Sequence, residues 1–270
     1  MATVTGLPEV QAASVWKVTG QNGATIYLGG SVHGLDSTDY PLPSAYNRAF
    51  DASSALVIED DPDVSRRTVD RFFKSGFYPK GDSLRNHVDP RTYDYLLRFF
   101  ALTQIPEAEL AKRKPWMLIM MLWSPSTNDL GVESFLIRRA HATGKPILGL
   151  ESFREHAEII SGMSDKQAEL VLLQTFIPQA PGTDEHKDMM TAWRRGDADA
   201  VARFQRESLR DLPSFGERLI SARNRAWIPK IEGYIREHHT YFVVAGAAHL
   251  GGRDGLLAIL RSRNYRIEQL

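Results

Sequence analysis

The chain has 270 residues, and 33 Lys+Arg balance 33 Asp+Glu for a formal net charge of zero. That balance leaves no cation excess for nucleic acid or an anionic membrane surface, while 43% hydrophobic and 10% aromatic residues mark a folded chain rather than a disordered one. With no cysteine, disulfide scaffolds, thiolate zinc sites, thiol nucleophiles and iron–sulfur clusters are excluded.

A domain of this size buries enough surface to fold without a metal staple, so a metal here would serve chemistry. No apolar run reaches the length of about 20 residues that a membrane span needs; the longest is Trp116 to Trp123. Met1 to Ala13 lacks a basic region followed by an apolar stretch, so no export signal is expected within it. A chain trimmed of such a signal would read the same, which leaves an exported or a cytoplasmic setting open.

In chain order, Ser14–Thr19 and Ala24–Gly29 read as strands joined by a turn at Gly20-Gln21-Asn22-Gly23. Pro43–Phe50 reads as a helix with proline in its first turn. Ala55–Glu59, Pro146–Leu150 and Tyr241–Ala245 are continuous apolar runs, as expected of strands covered on both faces. Trp116, Met117, Met120, Met121 and Trp123 fall at helical spacing and are read as core or a pocket wall. Val132–Thr143 predicts a helix stopped at Gly144, ahead of the strand Pro146–Leu150. Ser164–Thr175, Glu185–Arg195, Asp197–Glu207 and Pro213–His238 follow as a helical block. Asp254–Arg263 is a further helix, and Tyr265–Gln269 a terminal edge strand. The prediction is an α/β fold: a central mixed sheet built from N- and C-terminal strands, covered by helices, with a helical insertion. No linker separates two parts, so residues 1–270 are read as a single domain.

Ligands of open α/β sheets bind at the carboxyl ends of the strands. Four strands there run into metal-type side chains: Gly30-Ser31-Val32-His33, Glu59 with Asp60 and Asp61, Glu151, and Gly246-Ala247-Ala248-His249. Imidazole and carboxylate together suit Mn, Co, Zn or Fe as divalent ions, and a carboxylate beside such an ion can move a proton. The competing reading makes each histidine a hydrogen-bonded strand end, Glu151 a favourable charge at the start of a helix near Phe153, and Asp60–Asp63 a solvated turn. His87, His141, His156 and His186 are expected at the surface without partners, and His238-His239 as cations closing a helix. Gly251-Gly252-Arg253-Asp254-Gly255 is read as the turn after His249, with anion binding as the alternative.

Trp16-Lys17-Val18, the run Tyr27 to His33, Tyr40-Pro41-Leu42-Pro43, and Leu56-Val57-Ile58-Glu59 form a pattern that continues along the chain. It includes Gly131-Val132-Glu133, Gly144-Lys145-Pro146-Ile147, Gly149-Leu150-Glu151 and Arg223-Asn224, and closes with Val243 to Leu250 and Asp254 to Leu257. Taken together the pattern resembles the TraB/GumN family. The resemblance implies an erythromycin-esterase/ChaN-like fold shared with the TIKI metalloproteases. It maps the core of their site onto His33, Glu59 and His249, and further polar positions onto Glu133, Glu151, Arg223 and Asn224. Ser31 stands where threonine is frequent, and Arg253 where proline often precedes Asp-Gly; neither is a proposed ligand.

The expected activity is therefore metal-dependent hydrolysis of a peptide, amide or ester, with a peptide or small molecule as partner. His33, His249 and Glu59 would hold a divalent ion, and Glu151 or Glu133 would be a second ligand or general base. Arg223 would steady an oxyanion or a substrate carboxylate, with Asn224 in the same catalytic set. The alternative is a non-catalytic protein that binds metal, haem or a peptide in the same cleft, with the Trp116–Trp123 stripe lining it.

Overall fold

The computed structural model describes residues 12–33, 35, 37–123, 130–176, 185–237 and 239–270, without the side chains of residues 185 and 186. The chain divides into two compact units: Met1–Glu59, Thr127–Leu150 and Asp184–Leu270 form the first, Asp60–Ser126 and Glu151–Thr183 the second.

The first unit carries the sheet. Its strands are β1 (Val15–Thr19), β2 (Thr25–Ser31), β3 (Ala55–Asp60), β4 (Ile147–Glu151), β5 (Tyr241–Gly246) and β6 (Arg266–Gln269), ordered β4-β3-β5-β2-β1-β6. The turn at Gly20–Gly23 makes β1 and β2 an antiparallel hairpin, with Val15 opposite Gly29. β6 closes the edge antiparallel to β1. β5 is parallel to both β2 and β3, pairing Ser31 with Gly246 and Ala55 with Tyr241. The carboxyl ends of β2, β3 and β5 therefore finish at one edge, so whatever follows these strands is gathered there. The mixed sheet covered by helices agrees with the α/β architecture expected from the apolar runs.

Strand alternation divides the core into two layers. Val15, Leu56, Ile58, Phe242 and Val244 face one side and pack with Tyr46, Phe50, Leu136 and Trp193. Val18, Leu28, Val57 and Val243 face the other, against Trp227, Ile231, Leu257 and Leu260. Each large side chain so buried contributes roughly 1.5–3 kcal/mol. The end of β2 is also pinned by polar contacts. The Gly30 carbonyl accepts from the Tyr46 hydroxyl at 2.5 Å and from Trp193 Nε1 at 2.9 Å. These come from the helices Ser44–Asp51 and Glu185–Arg194, so two helices hold the strand end that leads to His33.

The helix expected over Pro213–His238 runs continuously from Pro213 to Arg236 but is not regular throughout. A turn at Pro213–Gly216 passes into a π-helical turn at Glu217–Ser221, and a regular helix runs from Ala222 to Arg236. A π-turn inserts an extra residue per turn and rotates everything downstream about the helix axis. Here it sits directly ahead of Arg223 and Asn224. His238 lies outside the described residues.

The second unit is helical: Arg66–Ser75, Pro90–Ala101, Glu107–Leu110, Pro115–Trp123, Phe153–Ser161 and Asp165–Thr175. The helices Arg66–Ser75 and Pro90–Ala101 were not expected. The first buries none of its residues and is closed at its start by the Ser65 side chain, yet Val69, Phe72 and Phe73 at i, i+3 and i+4 carry a helical pattern that sequence reasoning missed. Trp116 and Met117 are buried and the Phe72 ring packs against Trp116 in a tilted pair with centroids 5.1 Å apart, so the stripe at Trp116–Trp123 begins as core. No helix among the described residues is long and apolar enough to cross a membrane.

Candidate functional site

The end of β3 presents Glu59, and the helix Ala222–Arg236 brings Arg223 and Asn224 to the same edge. His249 arrives in the single 3-10 turn that follows β5. Glu59 is held at both oxygens: Oε1 accepts the Gly246 N–H at 2.6 Å and Oε2 accepts from Arg223 Nη2 at 2.5 Å. Gly246 eases this approach, since a Cβ there would stand 3.2 Å from Glu59 Oε1 and the carboxylate would have to shift slightly. Arg223 also donates from Nη1 to the Leu219 carbonyl in the π-turn, at 3.2 Å, so the widened turn itself helps aim the guanidinium.

Asn224 decides the state of His249. Its Nδ2 donates to the carbonyls of His249 and Asp254 at 3.1 and 2.8 Å, which leaves Oδ1 to accept from His249 Nδ1 at 2.7 Å. The ring therefore carries its proton on Nδ1. Arg223 Nη1 can only donate, and it lies 3.2 Å from His249 Nε2, so Nε2 presents a lone pair. That atom stands 3.9 Å from Glu59 Oε1. Trp227, one helical turn beyond Arg223, forms the floor: its ring lies 4.6 Å from the His249 ring and 4.5 Å from the Arg223 guanidinium carbon.

Burial alone would push the Glu59 carboxyl up, yet it is held down to about 2. A protonated His249, the Arg223 charge and the hydrogen bonds from Gly246 and Arg223 all act in the lowering direction. At neutral pH the hydrogen-bond pattern leaves His249 neutral, so there the lowering rests on Arg223, whose charge is permanent, and on the two hydrogen bonds; the full depression also needs the His249 charge. The result is an ionised, nearly buried carboxylate clasping a buried guanidinium, with a neutral imidazole against both.

His33 follows β2 two residues after its end and is exposed. The structure gives it no hydrogen bond or ion pair with Glu59, Arg223 or His249 among the described residues. Glu133 is half-buried in the first turn of the helix Val132–Thr143, where a carboxylate favours the helix dipole. A hydrogen bond of 3.2 Å from the Val132 N–H to the Val32 carbonyl sets the segments before Glu133 and His33 side by side.

Glu151 belongs to the second unit. It is buried and does not cap the helix Phe153–Ser161; a capping box of Ser152 and Glu155 does that. Glu151 Oε1 instead meets His156 Nδ1 at 2.7 Å. Two histidines expected to be partnerless are thus engaged. The other is His87, stacked 4.2 Å from the Tyr78 ring, with Asp82 on Nε2 and Asp165 on Nδ1, each at 2.8 Å. His141 is exposed, as expected, and the His186 side chain lies outside the described residues. Trp227, the Gly246 N–H and the π-turn were missed by sequence reasoning. The spacing Arg223-x-x-x-Trp227 could have flagged the first, since i and i+4 share a helix face.

The fold and site define a class: an α/β protein with a buried carboxylate–guanidinium–imidazole centre at the carboxyl ends of parallel strands. The family model of the TraB/PrgY/gumN family matches residues 14–269, and the chain belongs to that family. No curated protein and no solved structure matches it.

Proposed function

We propose that the protein is a hydrolase of peptide, amide or ester bonds, with Glu59, Arg223, Asn224 and His249 as its centre and a divalent ion as cofactor. The observation that carries this reading is the tautomer of His249: its Nδ1–H donates to Asn224 Oδ1, which makes Nε2 the accepting nitrogen, and water would displace the Arg223 Nη1 hydrogen bond to reach it. A neutral imidazole so oriented can take a proton from water, a contribution of roughly 10²–10⁴ in rate. Arg223 is placed to balance the negative charge that develops on the attacked carbonyl oxygen. As water's oxygen bonds to the carbonyl carbon, its proton passes to Nε2; the same proton then goes to the leaving group as the scissile bond breaks. Glu59 keeps Arg223 in position, and Asn224 keeps His249 in the accepting tautomer.

The donor types also fit a divalent ion, held by Nε2 of His249 and the carboxylate of Glu59 with His33 proposed as a further ligand. Nε2 has one lone pair, so with the ion bound it would be a ligand, and a carboxylate such as Glu133 would take the water's proton in its place. Such an ion would supply a bound water of lowered pKa. Arg223 already contacts both donors, at 3.2 and 2.5 Å, so ion and guanidinium compete for them.

The test combines turnover of a peptide and ester panel with elemental analysis of protein purified without chelator. Glu59→Gln and His249→Ala should each lower turnover about a hundredfold or more, with circular dichroism confirming that both stay folded. Wild type should hold close to one ion, lost on His249→Ala, and Arg223→Met should bind the ion more tightly. Unchanged turnover in both variants overturns the hydrolase reading; no ion in wild type or in Arg223→Met overturns the cofactor.

A further inference from the structure

A cavity of about 1090 Å³ opens on the first unit; its lining includes Ala248, Leu250 and Asp254, beside the hydrogen-bonded centre, but not Glu59, Arg223, Asn224 or His249 themselves. One wall is the helix Ala198–Ser208, another the segment Gly216–Ser221, and the third the loop Gly251–Asp254 with the helix Leu256–Ser262. The loop is pressed flush onto the first wall: a Cβ at Gly251 would overlap the Ala198 carbonyl oxygen at 2.0 Å. Gly252 has φ of +80°, and a Cβ there would stand 2.8 Å from Arg206 Nη2, so a guanidinium lies directly over the glycine backbone.

Charge in this cavity is sharply divided by pairing. Each of its four acidic residues is already engaged. Asp199 accepts the Gly252 N–H at 2.7 Å, Glu207 pairs with Arg210 at 2.7 Å, Asp254 with Arg253 at 3.5 Å, and Glu217 with Arg225. Of the five lining arginines, Arg203, Arg206 and Arg261 make no ion pair with a carboxylate among the described residues. The first two stand three residues apart on one wall and Arg261 on another, so the unpaired guanidiniums converge from two sides.

Guanidinium forks bind carboxylate and phosphate oxygens in pairs, more strongly than any neutral contact. A zero net charge and the engaged acids around the rim disfavour an extended polyanion such as nucleic acid. We infer that this cavity binds a small organic molecule carrying two or more oxyanion groups, held by Arg203, Arg206 and Arg261. The inference does not depend on hydrolysis at Glu59 and His249.

Isothermal titration at low ionic strength with inorganic tripolyphosphate and, separately, with citrate tests it, and the two arms distinguish phosphate from carboxylate recognition. Saturable binding of at least one probe at one equivalent is expected. It should weaken about tenfold or more in Arg206→Glu and in Arg261→Glu, which alter different walls, the loss expected for one hydrogen-bonded charge pair. Arg67→Glu, an exposed residue in the second unit, makes the same net-charge change and should leave the affinity unaltered. No saturable binding of either probe, or equal weakening by Arg67→Glu, overturns the inference.

Discussion

Replacing Arg223 by methionine keeps most of the side-chain volume and removes the charge, which isolates what the guanidinium does. The Arg223 and Glu59 side chains are only 8% and 14% exposed, so this is a buried pair rather than a surface one. The variant loses the contact with Glu59 at 2.5 Å, that with His249 at 3.2 Å, and the stacking on Trp227. It also leaves Glu59 ionised and desolvated, with the Gly246 N–H as its remaining hydrogen-bond donor among the described residues. Removing one partner of such a pair costs about 3–5 kcal/mol, whereas an exposed pair costs about 1 kcal/mol or less. Urea denaturation at neutral pH, with an unchanged m-value, measures the difference. In the double variant Glu59→Gln/Arg223→Met neither charge is stranded, so its cost should fall about 2 kcal/mol or more short of the two single costs added together. A single-variant loss below about 1 kcal/mol, or additivity within about 0.5 kcal/mol, would refute the reasoning.

The depressed Glu59 carboxyl has a signed consequence. Its contribution to stability is fully present above its ordinary 4.5 and is lost as pH falls towards about 2. The drop is worth at most about 3 kcal/mol, and the acid limb of a pH–stability profile should flatten by that amount in Glu59→Gln; an unaltered limb would contradict it. In nitrogen NMR, His249 should show its proton on Nδ1 at neutral pH, and Asn224→Ala should release the ring to a tautomer mixture. A dominant Nε2–H signal in wild type would contradict the hydrogen-bond assignment. Gly246→Ala adds a methyl 3.2 Å from Glu59 Oε1 at a backbone φ of −48° that alanine accepts, so the cost is steric alone. We expect about 1–2 kcal/mol, together with a smaller acid limb, and a variant as stable as wild type would show that the carboxylate is not so tightly held.

The parts of this molecule legible in its sequence are those whose signal is local. Ala55–Glu59 and Tyr241–Ala245 announce themselves because a strand covered on both faces has no polar face to interrupt the apolar run. Since β5 lies parallel to β2 and β3, the residues that end those strands are brought to one edge by topology, and Glu59 and His249 could be chosen in advance for that reason. The parallel pairing alone did not decide which of them would meet. His33 leaves the same edge yet stays exposed, because the chain beyond Ser31 is held by a backbone bond to Val132 and not by the centre. Arg223 and Asn224 were marked only by resemblance; nothing in their own neighbourhood reveals that a guanidinium on a helix will clasp a carboxylate 164 positions earlier. The π-turn had no sequence signature either, since Glu217–Ser221 is an ordinary helical composition. Yet that turn ties Arg223 to the Leu219 carbonyl, and Asn224, the next residue, then reaches both the ring and two backbone carbonyls. The protonation state of His249 is thus set by a helix irregularity and an amide, neither of which is titratable. A search for acids and bases finds the imidazole but not what determines its tautomer.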